Sequence, residues 1–105
     1  MIDNLTIIIL TLNEENKIKR LLDSIQDVTN NIFIVDSHSV DDTIKIASEY
    51  NVKYVKRKFS NYADQRNWAQ SNEPFNNDWV MHLDADEPVT ADLLAWLKND
   101  FNQLS

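Results

Sequence analysis

The chain has 105 residues, 17 acidic against 10 basic side chains, a formal charge of −7, no cysteine and no glycine. That length suits one small domain with a modest core. The charge excludes a general affinity for nucleic acid or for an anionic membrane surface, both of which need a basic face. Lack of cysteine excludes disulfides, thiolate zinc sites and cysteine nucleophiles, and fits a reducing cytoplasm. Lack of glycine excludes phosphate-binding loops of the P-loop or GxGxxG kind.

The apolar stretch Leu5–Leu12 is β-branched and nearly continuous, which predicts a strand buried on both faces. It is far shorter than the roughly 20 residues of a spanning helix, and no basic region precedes it. The chain therefore reads as soluble. Ile18, Leu21, Leu22, Ile25 and Val28 then fall on one helical face. Asn13 is placed to cap that helix, with Glu14 and Glu15 in its first turn. Residues 31–36, NIFIVD, predict a second buried strand. Residues 40–50 predict a helix with Asp41 or Asp42 at its start and Ile44, Ala47 and Tyr50 along one side. VKYVK (52–56) alternates and predicts an edge strand, and NYADQRNWAQS (61–71) a short helix. SNEPFNND (71–78) reads as a connecting loop. DWVMHLD (78–84) predicts a fourth strand. The last helix opens at Thr90 and turns Leu93, Leu94, Leu97, Phe101 and Leu104 inward. Such βα alternation implies an α/β fold, a three-layer α/β/α arrangement around a mainly parallel four-stranded sheet.

Ligands of open α/β sheets bind beyond the carboxyl ends of the strands, where the strand order reverses. Three polar clusters lie at such ends: TLNEE (11–15), DSHSVDDT (36–43) and DADE (84–87). With strand order 3-2-1-4 they converge on one rim. Asp84 and Asp86 are close enough for their charges to repel, so an unaided pair tends to retain a proton. A hard divalent cation removes that conflict, and a cation held by one or two carboxylates keeps positions open for phosphate oxygens. The other reading of Asp-x-Asp is a solvated turn leading through Glu87 and Pro88 towards the next helix.

Four segments together carry a resemblance: IIILTLNEENKIKRLLDSI, IFIVDSHSVDDTIKIA, YADQRNWA and DWVMHLDADE. In this order they resemble the family 2 glycosyltransferases of the GT-A fold. The narrower resemblance, carried by VDSHSVDDT and NYADQRNWA, is to bacterial β-1,4-glucosyltransferases of the lipopolysaccharide core. It implies an enzyme that binds a nucleotide-diphosphate sugar, a UDP-hexose, and transfers the hexose with inversion to a saccharide or lipid-linked acceptor. It further implies that Thr11, Leu12, Asn13 and Glu14 line the nucleotide pocket and that Asp36 accepts a hydrogen bond from the base. Arg66 is expected beside the nucleotide. Asp84 is expected to face the ribose or a metal-bound water, and Asp86 to ligate a manganese or magnesium ion (Mn2+ or Mg2+) on the diphosphate. The general base of such enzymes comes from the second half of the domain. Only 17 residues follow Pro88. The chain is thus expected to be the donor-binding half, 1–105, without its acceptor half, and inactive alone. Its unpaired fourth strand is a candidate edge for a homodimer. The full-length protein is expected in the cytoplasm, peripheral at the inner membrane.

Other residues invite a role. His38 and His82 lack a third ligand for zinc and read as structural. Lys56-Arg57-Lys58 is either a phosphate contact or a solvated face. Trp68, Trp79 and Trp96 are candidates for stacking, but Trp79 and Trp96 sit in apolar patterns that place them in the core. Competing functions are a non-catalytic nucleotide-sugar-binding or assembly module, an aspartate-based phosphotransferase or phosphatase, and a nucleotidyltransferase. The phosphotransfer folds carry their acidic pair after the first strand, where TLNEE has no aspartate.

Overall fold

The computed structural model describes residues 2–85, 89–97 and 99. The elements alternate as β1 (Leu5–Thr11), α1 (Ile18–Ile25), β2 (Ile32–Asp36), α2 (Thr43–Ala47), β3 (Lys53–Lys56), α3 (Tyr62–Asn72), β4 (Trp79–Asp84) and α4 (Ala91–Trp96). The four strands form one sheet in the order β3-β2-β1-β4, with every pair parallel. This is the expected architecture.

β1 pairs with β2 and β4 at its edges, and helices on either side of the sheet cover both its faces. Ile7 and Ile9 enter one core cluster with Ile18, Leu21, Leu22 and Ile25 of α1. Ile8 points the other way and packs with Phe33, Val35 and Ala69 of α3. The period of two along a strand makes that split, and it explains why β1 cannot afford a polar alternation. Burial of the four α1 side chains stabilises its docking by roughly 6–12 kcal/mol, an upper value because the unfolded chain already hides some surface. Leu93, Leu94 and Leu97 pack α4 on the same side. Phe101 and Leu104, expected on that inner face, lie outside the described residues.

The N-terminal boundary of α1 departs from expectation. Asn13 does not cap it. The amides of Lys17 and Ile18 both donate to the Glu14 carbonyl, and regular helix begins only at Ile18, with no side-chain cap. Asn13 instead adopts φ 54°, in the left-handed region. His38 (φ 60°) and Asn76 (φ 53°) do the same. Asn and His tolerate that region better than most residues, so they take turns where another chain would use glycine. α3 and α4 do carry caps: Asn61 Oδ1 accepts from the Asp64 amide and Thr90 Oγ1 from the Leu93 amide.

The connection after α3 is more than a loop. Glu73 is buried, and its carboxylate accepts from the Thr6 hydroxyl at 3.1 Å and from the amides of Phe75 and Asn77. Asn77 Nδ2 closes the network by donating to Thr6 Oγ1 at 2.9 Å. The connection is thereby fixed to β1 before the chain enters β4. Trp79 (43% exposed) and Trp96 (39%) are not core residues. Trp79 starts β4, which lies at the edge of the sheet among the described residues, and an apolar pattern read along the chain does not reveal which strands are edges.

Candidate functional site

The register sets strand ends side by side. Thr11 lies opposite Asp36, Asp36 opposite Lys56, and Leu10 opposite Asp84. The first two polar clusters and the described start of the third, Asp84 and Ala85, therefore meet at one rim of the sheet.

The loops after β1 and β2 are laced together. The Asn13 amide donates to Ser39 Oγ, the Glu14 amide to Thr43 Oγ1 and the Glu15 amide to Asp41 Oδ2. In return the Val40 amide donates to Asn13 Oδ1 and the Asp42 amide to Glu15 Oε2. Asp36 anchors the lacing from below. It is fully buried, and Oδ1 accepts from the hydroxyls of Thr11 (2.7 Å) and Ser39 (2.6 Å) while Oδ2 accepts from the Ser39 amide (2.8 Å). Burying a carboxylate is tolerable only with such donors.

Asp41 shows the same logic at the surface. Burial pushes its carboxyl up, but donation from the Thr43 hydroxyl and amide and the Glu15 amide outweighs that, leaving it below its ordinary value of 3.8. A depressed carboxylate adds stability that is complete above the ordinary value and is lost as pH falls through the lower folded one. NMR amide shifts of Glu15 and Thr43 should thus hold steady from neutral pH down to the ordinary carboxylate range and move only below it. A transition at or above the ordinary value would contradict the lacing.

Between this rim and α3 lies a cavity of about 530 Å³. Thr11, Leu12 and Glu14 form its wall from β1, and Ser37 that from β2. Asp84 and Ala85 contribute from the end of β4, and Arg66 from α3. Five of the expected residues, Thr11, Leu12, Glu14, Arg66 and Asp84, are therefore gathered on one cavity. Asn13 and Asp36 are not on its wall. Both are spent on the lacing described above, and Ser37 stands where Asp36 was expected. Asp86 lies outside the described residues. Among the described residues no group of three or more His, Asp or Glu is set to hold a metal. Asp84 is exposed at the strand end, and one hard carboxylate with open positions is a donor set that suits a divalent ion shared with phosphate.

Among the lining residues not anticipated for the site, three carry rings. Phe59 and Tyr62 flank the start of α3, and His82 stands on β4. His82 Nε2 lies 3.2 Å from Gln70 Oε1, while Nδ1 is buried and unpaired among the described residues. Burial, with the Arg66 charge, holds this imidazole below its ordinary pKa, so it is neutral at pH 7. The basic run divides: Arg57 pairs with Asp64 at 2.8 Å, donates to Gln65 Oε1 and sits 5.0 Å from the Trp68 ring. Arg57 and Trp68 are thus occupied in packing β3 against α3.

The model of glycosyl transferase family 2 matches residues 6–103. This chain belongs to that family. An uncharacterized glycosyltransferase of Rickettsia conorii is 34% identical over 91 residues, covering 87% of this chain and 32% of its own length. The SPbeta prophage-derived glycosyltransferase SunS of Bacillus subtilis is 34% identical over 82 residues, 74% of this chain and 19% of that protein. The chain thus spans about a third or less of the curated relatives it matches. Among solved structures, S. aureus TarS 1-349 superposes with a TM-score of 0.75 at 22% identity, over 93% of this chain and 31% of that one. Glucosyl-3-phosphoglycerate synthase of Mycobacterium tuberculosis, solved with Mn2+ and UDP-glucose, gives 0.65 at 23% identity over 80% of this chain and 33% of that one. The family 2 chain thus has the GT-A glycosyltransferase fold.

Proposed function

We propose that this family 2 chain is the nucleotide-sugar-binding half of a GT-A domain that takes a hexose from a UDP-hexose and passes it, with inversion, to an acceptor in lipopolysaccharide or other cell-surface polysaccharide synthesis. The observation that carries this reading is the cavity at the carboxyl ends of β1 and β4, where Glu14, Arg66 and Asp84 meet. It is where an open α/β sheet binds its ligand.

In this reading Arg66 offers a planar fork of donors to phosphate oxygens. Thr11 and Leu12 border the nucleoside. Asp84 and Asp86 would hold Mn2+ or Mg2+, which when bound supplies Lewis-acid stabilisation of the leaving diphosphate. Asn13 and Asp36 act at one remove, by holding the two loops in register. For Asp36 to accept a base N–H as well, the ligand must use the remaining capacity of Oδ2 or displace a protein donor. Relatives about three times as long support the view that the acceptor site and the general base lie in the rest of the domain, and that this chain alone does not turn over. The β4 edge, unpaired among the described residues, would meet that remainder or, in the isolated chain, a second copy. No described helix is long and apolar enough to cross a membrane. A peripheral, cytoplasmic enzyme on the inner face of the membrane fits the proposed substrates.

Isothermal titration tests the reading. UDP should bind measurably with Mn2+ present and much more weakly in chelator. Equal binding in both conditions would contradict the metal's part, and no binding in either would contradict the nucleotide.

A further inference from the structure

Three of the cavity's large apolar lining residues are exposed. Leu12 (50% exposed), Phe59 (38%) and Tyr62 (67%) each leave much of a large apolar side chain in water. Phe59 and Tyr62 stand edge to face, with centroids 5.1 Å apart and planes at 76°. Solvent exposure of such a pair is costly unless something covers it.

The segment carrying the rings is held in place before any ligand arrives. Asn61, between them in sequence, caps α3 through the Asp64 amide. Asp64 accepts from the Ser60 hydroxyl at 2.8 Å and from Arg57 at 2.8 Å. Residues 57–64 are therefore fixed by side chains other than the two rings, which lowers the ordering cost of a ligand that meets them.

One helical turn after Tyr62 comes Arg66, on the same side of α3. It lines the same cavity and enters no ion pair among the described residues. An aromatic rim with a cation one turn away suits a ligand with a flat ring at one end and an anionic group at the other. Of the three exposed side chains only Tyr62 carries a polar group, so the face they present suits a flat ring better than a hexose, whose hydroxyls need several polar partners.

We propose that Phe59 and Tyr62 form the stacking wall for the base of the nucleotide donor. This rests on the nucleotide-sugar reading above. Since every base has a π-face, the wall adds affinity without selecting one base over another.

Titration of UDP and of pyrophosphate, each with Mg2+, separates the two ideas. Tyr62→Ala should weaken UDP by roughly 5- to 150-fold, the range for removing a stacked ring. The same variant should leave pyrophosphate within about twofold, as for an independent site. Phe59→Ala should follow the same pattern, and Tyr62→Phe, which keeps the ring, should bind UDP like the parent. Tyr62 is largely exposed, so its variants should fold, and an unchanged circular dichroism spectrum checks this. Unchanged UDP affinity in both alanine variants would overturn the stacking wall while leaving the nucleotide reading intact. An equal loss for pyrophosphate would also overturn it. A parent chain that bound neither probe would overturn the nucleotide reading, and the wall with it.

Discussion

Asp86→Ala should weaken UDP binding in Mn2+ by more than about 10- to 100-fold, the loss seen when only the partner of a metal ligand is disturbed. In chelator the variant and the parent should bind alike, and weakly. The reasoning is electrostatic. The chain carries a net charge of −7, and a diphosphate approaching Asp84 and Asp86 meets like charge. A divalent ion converts that repulsion into attraction on both sides. Arg66 alone offsets one charge at most. Asp84→Ala should show the same metal-specific loss. If Asp86→Ala instead lowered affinity equally with and without metal, the carboxylate would be acting on the nucleotide or the fold directly.

Asp36→Ala should cost about 2–4 kcal/mol of folding stability, measured by urea denaturation. The deletion leaves the hydroxyls of Thr11 and Ser39 and the Ser39 amide without their acceptor. Each buried donor left unpaired costs about 1–3 kcal/mol. The total falls below the sum because the Ser37–Ser39 segment can shift and take up water. Asp36→Asn should lose less, since its amide keeps one acceptor oxygen. The alanine variant should also bind UDP more weakly, because the lacing that sets Glu14 and Ser37 on the cavity wall is anchored there. A variant as stable as the parent would show that the buried carboxylate contributes nothing net.

Much of this was legible in the chain itself, for physical reasons. The short β-branched run around Ile7, Ile8 and Ile9 favours a strand covered on both faces, and the 3–4 spacing of Ile18, Leu21, Leu22 and Ile25 puts all four on one helical face; all seven are buried. Once those elements are laid in parallel, Thr11, Asp36 and Asp84 must end at the same rim. What could not be read depends on partners distant in sequence. Asn13 looks like a helix cap, but Ser39 and Val40, 26 and 27 residues away, draw it into a left-handed turn. Glu73 looks like a loop residue until Thr6, 67 positions earlier, is placed against it. Phe59 and Tyr62 lie outside any apolar period, so nothing local marks them as the cavity's rim. The lone signal was two aromatic side chains in a polar stretch, one before a helix and one at its first residue. Trp79 erred in the opposite direction, because its apolar neighbours hid the fact that β4 has a partner on one side alone among the described residues.

The most direct test is a crystal of the chain grown with UDP and Mn2+ and measured at the manganese absorption edge. An anomalous peak joining the Asp84 and Asp86 carboxylates to the diphosphate is the predicted result. A nucleotide seated in the cavity with no manganese beside it, and with both carboxylates turned to solvent, would contradict the account.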